Sequence, residues 1–403
     1  MPESKSTSEK TSPANQTEQG ALQPLRSVHT SNLPGILDHF GISVMVSTYQ
    51  AGRLVMLRSE GGVLNTHFRS FDKPMGLAIA DNRLAVGAAM NIWEFHNIPA
   101  VSRKLDTKLA NDSVQDDDAN QSVSQADHRP PSAHPHDACF LPRTVHWTGD
   151  IQIHEMAWVG RGSDAQLWFV NTLFSCLCQR SDIYNFQPIW RPPFVTKYVP
   201  GDCCHLNGLG LRDGQPRYVT ALGETDEPGK WRENKKDGGI LIDLASNEII
   251  LRGLSMPHSP RWYDNKLWLL ESGTGSFGYV DPDTGRYEAI TSLPGFTRGL
   301  SFIGPLAFIG LSQVRESAVF GGVPIAEKAL EERICGVWVV NIESGETVGY
   351  VQFEDAVQEI FAVEVLIGPR YPELVNDDPE LLSRSFELPD EVLADVPAEL
   401  RVK

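Results

Sequence analysis

The chain has 403 residues, and 35 Lys and Arg against 52 Asp and Glu give a formal net charge of −17. That balance argues against nucleic acid and anionic membrane surfaces as partners, since both need basic patches. No apolar run reaches the ~18 residues of a membrane span, and the polar opening "MPESKSTSEKTSPANQTEQG" has no secretory core, so a cytoplasmic protein is expected.

Residues 1–32 are rich in Ser, Thr, Gln and Pro and are expected to be disordered. The run "ISVMVSTYQAGRLVMLRSEGGVLNTHFRSF" (42–71) then offers three strands, and "GLAIADNRLAVGAA" (76–89) reads as a hairpin. Residues 104–136 are polar and acidic, and interrupt the pattern as a disordered surface insertion. Hairpins resume in "EMAWVGRGSDAQLWFVNT", "GLGLRDGQPRYVTALG", "GILIDLASNEIILRGL", "RWYDNKLWLLESG", "FGYVDPDTGRYEAI", "GLSFIGPLAFIGLS" and "GVWVVNIESGETVGYV". Their Asp-Gly, Asp-Asn, Asp-Thr-Gly and Glu-Ser-Gly turns supply the positive φ that tight hairpins need. A last strand lies in "QEIFAVEVLIG", and residues 369–403 form an acidic tail expected to add no core.

The hairpins recur as a four-stranded unit whose first strands begin near Gly76, Glu155, Gly208, Arg261, Gly299 and Glu359. Six such units in series predict an all-β fold, a six-bladed β-propeller over residues 33–368. The last unit has one strand and the chain start has three to spare. Joining them completes the sixth blade and leaves no open edge. The six cysteines are too few for a disulfide framework and read as buried thiols, with Cys176 and Cys178 facing the same side.

In a propeller the first strand of each blade is innermost, so the starts of these strands ring one mouth of the channel. That gathers His154, His205 and His258 from three consecutive blades. Three imidazoles suit Fe, Zn or Cu, fit Ca²⁺ poorly, and would leave a coordination position open for substrate. Glu155 and Glu359 are the candidate catalytic carboxylates, as ligand, orienter or general base. Arg261 and Arg298 call for carboxylate or phosphate partners, on those glutamates or on a ligand. Asn207 shares this end. The loop "GKWRENKKDGG" offers Trp231 as apolar cover and Arg232 as steering charge. The expected function is a metal-dependent enzyme acting on an anionic small molecule or peptide, with oxidative chemistry favoured. The alternatives are a non-catalytic ligand- or peptide-binding module and a lactonase-like hydrolase.

The motifs "DIQIHEMAW", "LWFVNTLFSCL", "HLNGLGLRDGQPRYVTALG", "WRENK", "GLSMPHSPRW", "PGFTRGL", "VRES" and "VQEIF" resemble a bacterial conserved-hypothetical family of unknown function over roughly residues 32–368. The resemblance implies a propeller-like fold and carries no reaction. More distantly, the architecture is similar to six-bladed calcium-dependent lactonases and strictosidine-synthase-like proteins. Those lactonases use oxygen-rich metal sites, from which a His-rich mouth departs.

Overall fold

The computed structural model describes residues 25–106, 136–314, 321–354, 356–398 and 401. Six antiparallel sheets follow one another as the blades of a propeller. Blade 1 runs, inner strand first, through Leu77–Ala80, Arg83–Gly87, Asn91–Asn97 and Ala138–Trp147. Blade 2 comprises Ile153–Val159, Gln166–Asn171, Cys176–Gln179 and Gln187–Trp190. Blade 3 is Leu206–Arg212, Gln215–Ala221, Gly239–Asp243 and Glu248–Leu254, and blade 4 is Pro257–Tyr263, Lys266–Glu271, Ser276–Asp281 and Arg286–Ser292. Blade 5 is Phe296–Ile303, Leu306–Ser312, Gly336–Asn341 and Thr347–Phe353.

Blade 6 is composite, as the sequence predicts. Its inner strand Ala362–Ile367 comes from the C-terminal side, and Ile42–Ser47, Arg53–Glu60 and Val63–Ser70 come from the N-terminal side. Ile42–Ser47 pairs with Ala362–Ile367 residue for residue, from Ile42 opposite Ile367 to Ser47 opposite Ala362. This closure turns an open row of sheets into a ring without a free edge at the join.

The inner and second strands are apolar on both faces because each blade packs between two others, while outer strands such as Glu248–Leu254 and Arg286–Ser292 are largely exposed. Met45, Leu84 and Met156 share one cluster spanning blades 6, 1 and 2. Val170 and Val219 join blades 2 and 3, and Leu241 and Leu269 join blades 3 and 4. Leu270 and Ile309 join blades 4 and 5, while Val337 and Val363 join blades 5 and 6. The turns carry their predicted strain: Asp264 and Asn265 both have positive φ (47° and 56°), the geometry a two-residue hairpin requires.

Three boundaries differ from expectation. Ser27–His29, placed by the sequence in the disordered N-terminal segment, pairs with the outer strand of blade 5. The helix Leu33–Phe40 follows and buries Leu33 and Leu37, one turn apart, against blades 5 and 6. Residues 99–106 are helical, so the first residues assigned to the 104–136 insertion belong to ordered structure. The rest of that insertion, residues 107–135, and the disorder expected for 1–24 lie outside the described residues. The acidic tail also adds core: Pro372–Leu374 pairs in parallel with Ala138–Trp147, and Leu374, Val375 and Leu381 are buried. Its acidic composition concealed a short apolar anchor, "YPELV".

Candidate functional site

A cavity of about 660 Å³ opens at the mouth of the ring, and its walls come from all six blades. His154, His205 and His258 line it, as do Arg298, Glu359, Trp231 and Arg232. Glu155, Asn207 and Arg261 are not among its lining residues. The grouping of the three histidines follows from the inner strands converging at this end, where His154 and His258 stand at the starts of two of them and His205 just ahead of a third.

Close backbone approach holds this geometry. A Cβ on Gly76, ahead of the blade 1 inner strand, would stand 2.0 Å from the carbonyl oxygen of His154. Only glycine lets blade 1 pack so tightly beside that histidine.

The three rings are oriented by one recurring device. His154 Nδ1 lies 2.9 Å from the carbonyl of Gln152, and His258 Nδ1 lies 2.9 Å from the carbonyl of Met256. A carbonyl can only accept, so Nδ1 carries the proton in both rings. A hydroxyl one residue past the second strand of the same blade supports each: Thr172 for His154 (2.7 Å) and Ser272 for His258 (2.9 Å). The Thr172 hydroxyl donates to the Leu206 carbonyl and therefore accepts from the imidazole. In blade 3 the acceptor is a carboxylate. His205 Nδ1–H donates to Asp202 at 3.0 Å, and Asp202 also accepts from Trp231 Nε1 and Arg232 Nη2. Nδ1 is thus engaged in all three rings, and no hydrogen bond to Nε2 is made by the described residues.

This orientation has a conformational cost. Gln152 and Met256, whose carbonyls hold the rings, have φ of 51° and 48°, and His205 itself has φ of 49°. Tyr49 and Lys73, also in the lining, have φ of 45° and 47°. Strained non-glycine residues of this kind cost on the order of 1–3 kcal/mol each and persist only where surrounding structure fixes them.

His154 and His205 meet edge to face with ring centroids 5.0 Å apart. Burial, with the nearby Arg298 charge, holds His154 and His258 well below the ordinary imidazole value, so both are neutral acceptors at Nε2. Among the described residues no three His, Cys, Asp or Glu side chains are grouped as a metal ion would need.

Arg298 is the unusual member. Its guanidinium stacks 3.5 Å above the Phe361 ring, and its Nη2 is buried without a hydrogen-bond partner. Burial depresses its pKa to about 10, partly offset by Glu359. Glu359 sits at the entry to the inner strand of blade 6, ahead of Ala362, and burial raises its carboxyl against the pull of Arg298. The two charges feel each other, yet neither forms an ion pair among the described residues.

Arg261, Glu155 and Asn207 serve the frame. Arg261 Nη1 lies 2.9 Å from Glu155 Oε2, and its Nη2 lies 3.7 Å from Glu364 Oε1. These residues come from blades 4, 2 and 6, so a brace of charges spans the ring. Glu155 also accepts from the Leu209 amide of blade 3. Burial and Glu155 raise Glu364 to about 7 against the opposing Arg261 charge. Asn207 donates to the Pro257 carbonyl and accepts from Thr220, joining blades 3 and 4. Trp231 is a buried apolar wall of the cavity: it packs on His205 with centroids 4.4 Å apart, and the Arg232 guanidinium lies over its ring.

Sequence reasoning missed Asp202, Thr172, Ser272, Phe361 and Tyr49. Asp202 stands three residues before His205 in "DCCH" and was legible as a local partner. The hydroxyls were not, because their role depends on strand pairing. All six cysteines are free and buried, with the sulfurs of Cys176 and Cys178 3.5 Å apart. Burial pushes the Cys178 thiol up and raises the Cys204 thiol to about 12, so these are inert packing groups.

No curated protein matches the chain. Among solved structures, a nidogen/laminin complex aligns at a TM-score of 0.48 and 8% identity, over 82% of this chain and 100% of that one. A protein of unknown function from Bacteroides caccae aligns at a TM-score of 0.44 and 7% identity, over 81% of this chain and 99% of that one. A family profile described as a domain of unknown function (DUF4915) matches residues 31–117 and 110–375, so nearly the whole propeller lies within it, and the chain belongs to that family.

Proposed function

We propose that the axial cavity binds an organic anion, a carboxylate on a small molecule or peptide, with Arg298 as its receptor. The observation that carries this reading is the half-buried Arg298 guanidinium, which lines a cavity of ligand size and whose Nη2 has no partner among the described residues. A desolvated cation lacking a protein partner is costly, and a bound carboxylate supplies the missing hydrogen bonds in bidentate form. The neutral imidazoles add acceptors for donors on the rest of the ligand. The pool of free, unpaired thiols fits a reducing, cytoplasmic setting. The test is calorimetric titration with 3-phenylpropanoate, whose ring suits the Phe361, Phe296 and Trp231 walls. Saturable binding weakened at least tenfold by Arg298→Met is expected. Equal binding by both proteins overturns the reading, as does the failure of 3-phenylpropanoate and of its 2-hydroxy and 2-amino analogues alike to bind.

A second reading, a metal-dependent enzyme of oxidative or lactonase-like hydrolytic type, is favoured by one feature. All three histidines are anchored through Nδ1 with Nε2 left over, the arrangement by which ligating imidazoles are held. Among the described residues no three ligating side chains are grouped to hold an ion, so Fe, Zn or Cu would need the site to rearrange, with Glu359 as the adjacent acid or base. Elemental analysis of tag-free protein decides. Stoichiometric metal that disappears in His258→Ala supports this reading, and folded, metal-free protein rejects it.

A further inference from the structure

The cavity lining carries other charges besides Arg298: Glu359, Lys73 and Asp150, none of which forms an ion pair among the described residues. Glu359 is the carboxylate whose charge acts most on Arg298, yet the two stand outside ion-pair distance. We propose that the ligand is an amino carboxylate, a zwitterion whose carboxylate meets Arg298 and whose ammonium meets Glu359. This rests on the reading of the cavity as an anion site and extends it to the ligand's other pole.

Three observations support the extension. A half-buried cation and a half-buried carboxylate in one lining, close enough for each to act on the other's charge, are complementary to a molecule carrying both signs. A purely anionic ligand would satisfy Arg298 but would bring like charge towards Glu359. The remaining surfaces also suit an ammonium group. The Nε2 atoms of His154 and His258 are acceptors that no described residue engages, and an ammonium has three hydrogens to donate. Aromatic rings lie beside them: Phe361 is 4.9 Å from His154 by ring centroids, and Tyr49 is 6.0 Å from Phe361. Such faces favour a cation and accept an apolar side chain. The volume exceeds that of a single small amino acid, leaving room for a substantial side chain or a peptide terminus.

Three probes differing at one carbon substituent separate the two levels of the proposal: 3-phenylpropanoate, L-3-phenyllactate and L-phenylalanine, each titrated calorimetrically at pH 7. Phenylalanine is expected to bind at least tenfold more tightly than the other two. In Glu359→Gln, phenylalanine should lose at least tenfold while 3-phenylpropanoate gains affinity, because the repelling charge is gone. Circular dichroism checks that this near-isosteric variant folds, and the wild-type comparison stands without it. If 3-phenylpropanoate binds and phenylalanine or phenyllactate shows no such ranking, the zwitterion assignment fails and the anion site survives. If affinity for every probe is unaffected by Arg298→Met, or none binds, both fail.

Discussion

At Arg298, burial and function pull in opposite directions. The guanidinium is stacked on Phe361 and held in place, yet one nitrogen is left without a hydrogen bond. Leaving a charged donor unsatisfied costs stability, which a bound ligand of the proposed kind would return. Arg298→Met keeps much of the apolar stem and removes the charge. Its thermal midpoint without ligand is therefore expected to rise, by roughly 1–3 kcal/mol in stability at the usual cost of an unsatisfied buried group. A fall in the midpoint would show that the arginine supports the fold and is not reserved for a ligand. The same logic applies to His154 and His258. Their folded forms resist protonation, so the unfolded chain binds more protons below pH 6.5 and stability declines from there as pH falls.

Between elements, two charge clusters do different work. The brace Glu155–Arg261–Glu364 joins inner strands of alternate blades. The other cluster fastens the tail strand Pro372–Leu374. Glu373 is buried, accepts from His67 at 2.9 Å and from Arg69 at 3.1 Å, and lies 3.8 Å from Arg58. Arg58 donates to the Pro372 carbonyl and stacks 3.9 Å over Tyr371. Burial opposes ionisation of Glu373, but the His67 hydrogen bond and the arginine charges outweigh it and hold its pKa at about 2, below the ordinary 4.5. A depressed carboxylate contributes stability that is full above pH 4.5 and lost as pH falls towards 2. At 1.36 kcal/mol per tenfold, the contribution is about 3 kcal/mol. Glu373→Gln should lower the melting midpoint at pH 7 and flatten the decline between pH 4.5 and 2. Identical acid profiles for the variant and the parent would dissociate the tail from this clasp.

For the whole molecule, ring closure sets cooperativity. Three strands of blade 6 lie before residue 71 and the fourth lies after residue 361. Removing residues 1–71 would expose the inner strand Ala362–Ile367 and one face of blade 1. Urea unfolding of that deletion should be broad, with a reduced slope, or the protein should aggregate through its bared edge. A sharp transition matching the parent would mean that the blades are stable without closure.

The sequence alone determined the blade count, the composite sixth blade and the end of the ring where the histidines gather. These follow from local signals: apolar runs of strand length, turn pairs that need positive φ, and their recurrence. It also made Arg298 and Glu359 candidates, because the start of each first strand maps to one mouth. Tertiary structure decided which charges cancel. Arg261 and Glu155, separated by more than a hundred residues, neutralise each other across the ring, whereas Arg298 and Glu359 do not. Nothing local distinguishes these pairs. Salt-bridge partners are fixed by distances of a few ångströms between inner strands of different blades, set by how closely the sheets pack around the axis. The tail strand was hidden for the same reason: "YPELV" becomes core only because the outer strand of blade 1 stands beside it and Arg58 waits beneath it.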